Sequence, residues 1–245
     1  MTESPATKFI ASILIIVAPF AMGAFFLSWG PSNQYALTNP RDDGYVQPRD
    51  IGGLVENTVR STVTVYCDIP KNETLGSAWA VTLEGNAYKK YDSVFITNHH
   101  VIDDCIGKEQ YLTVARLFAK KIPAKIVTLD KKNDLAVIVA DIKIPTLKLS
   151  ENLPYPGYWT MVVGSADNYE GSVAYGAVMN LNATEVLVTA NASHGNSGGP
   201  VVDNEGRVIG TLTNGYDGEQ YNVAKSLDAM CAKIVKCDGK YYWEE

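Results

Sequence analysis

Histidine is scarce in this chain. Three occur in 245 residues, at His99, His100 and His194. Any chemistry that needs an imidazole must draw on one of them. Basic runs are missing as well. Lys and Arg number 21 against 27 Asp and Glu, a formal charge of −6. A nucleic-acid surface needs a positive face, so nucleic acid is not expected as a partner. The four cysteines, Cys67, Cys105, Cys231 and Cys237, include no C-x-x-C pair, which argues against zinc. Asp203-Asn204-Glu205-Gly206 has too few carboxylates for a calcium loop and lacks a distal Glu, so it reads as a hairpin turn. Neither a metal nor an organic cofactor is expected.

Long apolar runs are rare, with one exception. Phe9 to Trp29 carries no charged side chain. As a helix it would span about 31 Å, the thickness of a bilayer core. Residues 1–30 are therefore expected to form an uncleaved transmembrane signal-anchor, with Lys8 and the terminal amine on the cytoplasmic side. A signal peptide cleaved near Ala21-Met22-Gly23 is the competing reading. The rest of the chain would then be extracytoplasmic, periplasmic or extracellular. Four cysteines suit such an oxidising place, and they allow three pairings. Cys231 with Cys237 is locally plausible. Cys67 would then pair with Cys105.

Pro31 to Pro48 is rich in Pro, Asn and Gly, and residues 31–49 read as a linker. From about Asp50 short β-branched runs take over. Ser61–Tyr66, Ser77–Val81, Ser93–Thr97, Tyr111–Arg116, Ala124–Leu129 and Leu135–Val139 make a first group of six strands. Ile142 to Gly157, with three prolines, is a connector. Tyr158–Val163, Gly171–Val178, Glu185–Ala190, Pro200–Val202, Val208–Leu212 and Tyr221–Ala224 make a second six. The fold class is all-β. Two six-stranded antiparallel barrels are expected, over about 54–141 and 157–225. A C-terminal helix follows over about 226–236, with Ser226 as its N-cap. It is the only soluble helix that the pattern supports.

Glycine and serine concentrate in Ser193-His194-Gly195-Asn196-Ser197-Gly198-Gly199-Pro200. The glycines let the backbone turn tightly and expose the Ser197 hydroxyl. The N–H groups of Gly195 and Ser197 can then point into one pocket, the geometry of an oxyanion hole. Gly195-x-Ser197-x-Gly199 also fits the nucleophile elbow of α/β-hydrolases, but that fold needs a histidine after the serine. None follows Ser197. The order acid, histidine, serine would need an acid before His99. Asp68 and Asp92 are there, in no recognisable site. The order histidine, acid, serine remains. His99 and His100 both follow the strand ending at Thr97, where an imidazole could take the serine proton, and His99 fits a core residue better. Of the acids in between, Asp134 opens the apolar run Leu135–Val139 and is expected to be partly buried. Asp103 and Asp104 are too close in sequence to His100. Asp130, beside Lys131 and Lys132, is expected to be solvated.

Thr97-Asn98-His99-His100-Val101, Asn133-Asp134-Leu135-Ala136-Val137 and Gly195-Asn196-Ser197-Gly198-Gly199-Pro200 resemble the three signature segments of trypsin-like serine peptidases. The branch most similar is the HtrA/Deg type, whose closing strands look like Val208-Ile209-Gly210 and Tyr221-Asn222-Val223-Ala224. The resemblance covers about Val55 to Val235. It implies a chymotrypsin-like double barrel with the site between the barrels, and endopeptidase chemistry on polypeptides through an acyl-enzyme. Ser197 would be the nucleophile, His100 the base, Asp134 the orienting acid, and Gly195 and Ser197 the oxyanion donors. The primary pocket would be formed by Asn191 and by Thr213, Asn214 and Gly215. With no carboxylate at Asn191, small to medium apolar side chains are expected there.

Three departures follow. With Glu245 as the last residue, the PDZ domain usual in HtrA enzymes is not expected. His194 replaces a frequent proline. Arg49-Asp50-Ile51-Gly52-Gly53 faintly resembles a trypsinogen activation site, but Asn196 offers no charge to a new terminus, so no such activation is expected. Two alternatives remain in the sequence: a catalytically latent protein-binding module on the same scaffold, and an esterase.

Overall fold

The computed structural model describes residues 44–83, 85, 87–215, 220–231 and 233–235. The expected membrane segment, most of the linker and Cys237 lie outside the described residues. Among the described residues no helix is long and apolar enough to cross a membrane.

Among the described residues twelve strands form two closed barrels. The first holds β1 (Thr62–Ile69), β2 (Asn72–Val81), β3 (Ser93–Thr97), β4 (Leu112–Ala115), β5 (Ile122–Asp130) and β6 (Leu135–Ala140), in the order β1-β2-β3-β6-β5-β4. The second holds β7 (Trp159–Ala166), β8 (Tyr169–Leu181), β9 (Glu185–Val188), β10 (Pro200–Val202), β11 (Val208–Gly215) and β12 (Asn222–Ser226), in the order β10-β11-β12-β9-β8-β7. Every paired neighbour is antiparallel. All-β architecture in two six-stranded barrels is as the sequence pattern predicts.

Strand periodicity explains where the core sits. β6 reads Leu-Ala-Val-Ile-Val-Ala, with no polar residue on either face, and all six are buried. Alternate side chains of a strand point to opposite faces. Ala136, Ile138 and Ala140 fill the first barrel together with Val63, Val65 and Phe95. Leu135, Val137 and Val139 point the other way, into a cluster with Trp159, Met161 and Val163 of β7. The second barrel is filled by Val162, Val178, Val188, Val201 and Ile209. One apolar seam therefore joins the barrels, and the site lies at that seam. Burying one such side chain contributes about 1.5–3 kcal/mol.

Two elements depart from the sequence expectation. Ile51–Arg60 is an α-helix, α1, where strands had been expected to begin. Asp50 caps it, its Oδ1 accepting from the Gly53 N–H at 2.8 Å. Leu54, Val55 and Val59 pack against the inter-barrel seam. Gly52 and Gly53, poor helix formers, hide this amphipathic pattern in the sequence. The expected C-terminal helix is also shorter, covering Leu227–Cys231. Its Ser226 cap is as expected, since Oγ accepts from the Ala229 N–H at 3.2 Å. It stops because the Met230 carbonyl takes the N–H groups of Lys233, Ile234 and Val235, which closes the chain into turns.

Cys67 and Cys105 form a disulfide, Cα–Cα 5.9 Å. It ties β1 to the 3₁₀ turn Asp103–Cys105, just after the short helix α2 (His99–Ile102). Cys231 is disulfide-bonded as well.

Candidate active site

Asn98, at the end of β3, starts the helix α2 that presents His100. Asp134 sits in the turn between β5 and β6 at φ 53°, a left-handed conformation that Asp tolerates. Its neighbours build that turn. Asp130 Oδ2 accepts from Asn133 Nδ2 at 2.7 Å, and the Asn98 side chain donates to the Asp134 carbonyl at 2.8 Å. Asp130 is thus buried and bonded, not solvated as its two lysine neighbours suggested. Its role is to fix the turn that aims Asp134.

Asp134 and His100 are joined twice. The His100 backbone N–H donates to Asp134 Oδ1 at 2.9 Å, and His100 Nδ1 lies 2.7 Å from Oδ2. Thr213 Oγ1 donates to the same Oδ2 at 2.5 Å. Burial pushes the Asp134 carboxyl up, but the His100 and Thr213 hydrogen bonds and the His100 charge outweigh it and hold it below the usual Asp value. An ionised carboxylate only accepts, so Nδ1 must carry the proton. In the neutral ring Nε2 then keeps its lone pair and can act as a base. His99 is buried, with Nε2 3.8 Å from Asp103, away from this arrangement.

The serine loop is set by glycine. Gly195 has φ +92°, and a Cβ there would stand 2.2 Å from the Ser165 carbonyl oxygen. Gly198 has φ +86°, and a Cβ would stand 2.1 Å from the Ser77 oxygen. No other residue type fits either place. Two carbonyl bonds then fix the amide directions. The His194 carbonyl accepts from the Asp167 N–H at 2.7 Å, and the Asn196 carbonyl from the Gly199 N–H at 2.9 Å. A trans peptide points its N–H opposite to its C=O. The N–H groups of Gly195 and Ser197, on those same two peptides, are therefore turned away from the loop's internal bonds. Neither donates to any acceptor among the described residues. Ser77 braces the loop twice, its Oγ donating to the Gly195 carbonyl at 2.7 Å and its N–H to the Ser197 carbonyl at 2.7 Å.

Ser197 Oγ donates to the Thr213 carbonyl at 3.0 Å. It is not hydrogen-bonded to His100, although both line one cavity of about 550 Å³. Among the described residues no group of three or more His, Cys, Asp or Glu is placed to hold a metal ion.

Residues 76–210, more than half of the chain, match the family described as trypsin-like peptidase domain. The chain belongs to this family. A protein named serine protease HtrA-like from Staphylococcus epidermidis is 32% identical over 65% of this chain and 32% of its own length. A probable periplasmic serine endoprotease, DegP-like, from Pseudomonas savastanoi pv. phaseolicola is 28% identical over 69% of this chain and 36% of its own. A crystal structure of the serine endoprotease from Yersinia pestis superposes with a TM-score of 0.62 at 25% identity, covering 71% of this chain and 61% of that one. The chain spans about a third of the length of these two curated relatives.

Within this trypsin-like domain the pocket residues separate. Thr213, Asn214 and Gly215 end β11, with the Thr213 carbonyl at Ser197. Asn191 is exposed and lines a different cavity, about 390 Å³, with Ala192, Ser193 and Asn196. Asn222 links the two regions, and the sequence did not single it out. Its Nδ2 donates to the Ala190 carbonyl at 2.7 Å, and its Oδ1 lies close behind Gly215. Thr213 Oγ1 and Ser77 were also missed. A threonine or serine inside a strand carries no motif, so only the three-dimensional arrangement reveals them.

Proposed function

We propose that the domain is a serine endopeptidase with Ser197 as nucleophile, His100 as general base and Asp134 as orienting carboxylate. The observation that carries this is the 2.7 Å contact of His100 Nδ1 with Asp134, in the cavity that also holds Ser197. Ser197 Oγ turns from the Thr213 carbonyl towards Nε2 and attacks the scissile carbonyl. Nε2 takes its proton, and Asp134 stabilises the imidazolium. The oxyanion is held by the Gly195 and Ser197 N–H groups. The proton passes to the leaving amine, an acyl-enzyme remains, and water activated by Nε2 hydrolyses it. Polypeptides are the substrate class, and the primary pocket, between Asn191 and Thr213–Gly215, takes small to medium apolar side chains.

The Cys67–Cys105 disulfide supports an oxidising, extracytoplasmic location, and the uncharged run Phe9–Trp29 supports a membrane anchor. A latent binding module draws on one observation, the Ser197 hydroxyl turned towards Thr213. The amide directions of the loop favour the active reading.

The test is incubation of the full chain with denatured protein, followed by mass spectrometry of the products. The proposal expects internal cleavage that stops in Ser197→Ala. Binding without cleavage would support the latent module instead.

A further inference from the structure

The cavity that holds Ser197 and His100 extends to one side only. Its far wall is the β1–β2 hairpin, with Tyr66, Asp68, Glu73 and Leu75, and the turn at Asp167 closes it. Thr213, Gly215 and Asn191 are not on it. With those residues as the primary pocket proposed above, on the acyl side of the serine, this cavity is left for the leaving-group side of a substrate.

Its charges are unbalanced. Asp68 is engaged by Lys121 Nζ at 2.6 Å, and that ammonium also stands 3.7 Å from the centre of the Tyr66 ring. Glu170, just behind, is used by the Tyr66 hydroxyl at 2.6 Å and by the Phe118 N–H. Glu73 and Asp167 are exposed on the cavity wall. Neither has an ion pair or a side-chain hydrogen bond among the described residues. Three carboxylates thus face the cavity against one lysine.

Glu73 is also the direct cross-strand partner of Asp68. Like charges directly opposite in an antiparallel pair are unfavourable. Lys121 answers Asp68, so it is Glu73, inside the cavity that contains the serine, that a cation from outside would complete. Local rules are broken most often where function requires it.

We propose that the leaving-group side of the cleft selects substrates with Lys or Arg in the first two residues after the scissile bond, with Glu73 and Asp167 as the recognising carboxylates. This rests on the peptidase reading above. It adds a specificity opposite in kind to the apolar primary pocket.

The experiment begins from a cleavage site mapped by mass spectrometry in denatured protein. Quenched fluorescent peptides built on that site vary only in the two residues after the bond, carrying Lys, Ala or Glu. With the full chain at low salt, kcat/KM for Lys should exceed that for Glu about tenfold, as two partly exposed pairs would give. The ratio should shrink in 1 M NaCl, where the Debye length is about 3 Å. In Glu73→Gln with Asp167→Asn it should fall towards one, and Glu73→Lys should reverse it. Each ratio compares two peptides in one preparation, so a smaller folded fraction does not change it. A Lys-to-Glu ratio near one in the wild type, or a ratio unchanged in the double variant, overturns the inference and leaves the peptidase reading standing. Failure to cut any denatured protein overturns the peptidase reading itself, and this inference with it.

Discussion

In the first barrel, His100 and Asp134 meet through two hydrogen bonds of 2.9 and 2.7 Å, on a turn braced by Asn98, Asp130 and Asn133. In the second barrel, the loop around Ser197 is equally braced, but the hydroxyl itself rests 3.0 Å from the Thr213 carbonyl. One half of the site is assembled around a charge. The other half holds its backbone in place and leaves the Ser197 hydroxyl on a neutral carbonyl. Charge-assisted bonds are roughly twice as strong as neutral ones, which accounts for the order. Exchanging one neutral hydrogen bond for another costs on the order of 1 kcal/mol or less, so the serine can change partner readily. Thr213 serves both halves, with Oγ1 on Asp134 and its carbonyl on Ser197.

The largest effect is expected from loss of His100, the proposed base. His100→Ala should lower kcat on the order of 10⁶-fold with the fold intact, measured as peptide turnover beside circular dichroism. Asp134→Asn should cost roughly 10⁴-fold, because the amide no longer fixes the Nδ1–H tautomer. It also has a signature in pH. The Asp134 carboxyl is held below its ordinary value in the folded chain, so its stabilising contribution is complete above about pH 3.9. That contribution is lost as pH falls through the lower folded value. Denaturation midpoints taken from pH 7 to pH 2 should show wild type losing this increment below about pH 4, and Asp134→Asn should lack that part of the fall.

On the serine side, Gly195→Ala should displace the loop, since a Cβ there meets the Ser165 carbonyl at 2.2 Å. Loss of one of the proposed oxyanion donors should reduce kcat about 10²–10³-fold while KM changes little. The smallest effect falls on the shared residue. Thr213→Val removes the hydroxyl bond to Asp134 and keeps the carbonyl at Ser197. A drop of roughly tenfold in kcat is expected, the scale of one hydrogen bond to a charged group. An equal loss in Thr213→Val and Asp134→Asn would mean that Thr213, not His100, holds the carboxylate in place.

The two halves also differ in how far the sequence revealed them. With three histidines in the chain and none after Ser197, order narrowed the base to His99 or His100 and the strand entrance before Leu135 pointed to Asp134, with the family motifs favouring His100 and Asp134. Glycine around Ser197 announced a tight loop. The brace from Ser77 and the bond from Thr213 left no trace, because polar residues at alternate strand positions look like any half-buried strand. Thr211 has the same spacing, and its Oγ1 serves the Trp79 indole at 3.1 Å instead. Alternation placed the twelve strands well, since β-branched runs separated by turns leave little ambiguity. It failed at α1, where two glycines masked a capped helix, and at Asp130, where neighbouring lysines suggested solvent but the strand end buried it.

Fluorophosphonate labelling of the full chain tests the central claim most directly, because it asks whether Ser197, once turned to His100, is an activated nucleophile. The wild type should be labelled at Ser197, and Ser197→Ala and His100→Ala should not. A folded wild type that stays unlabelled, or a Ser197→Ala variant labelled as well as wild type, would contradict it.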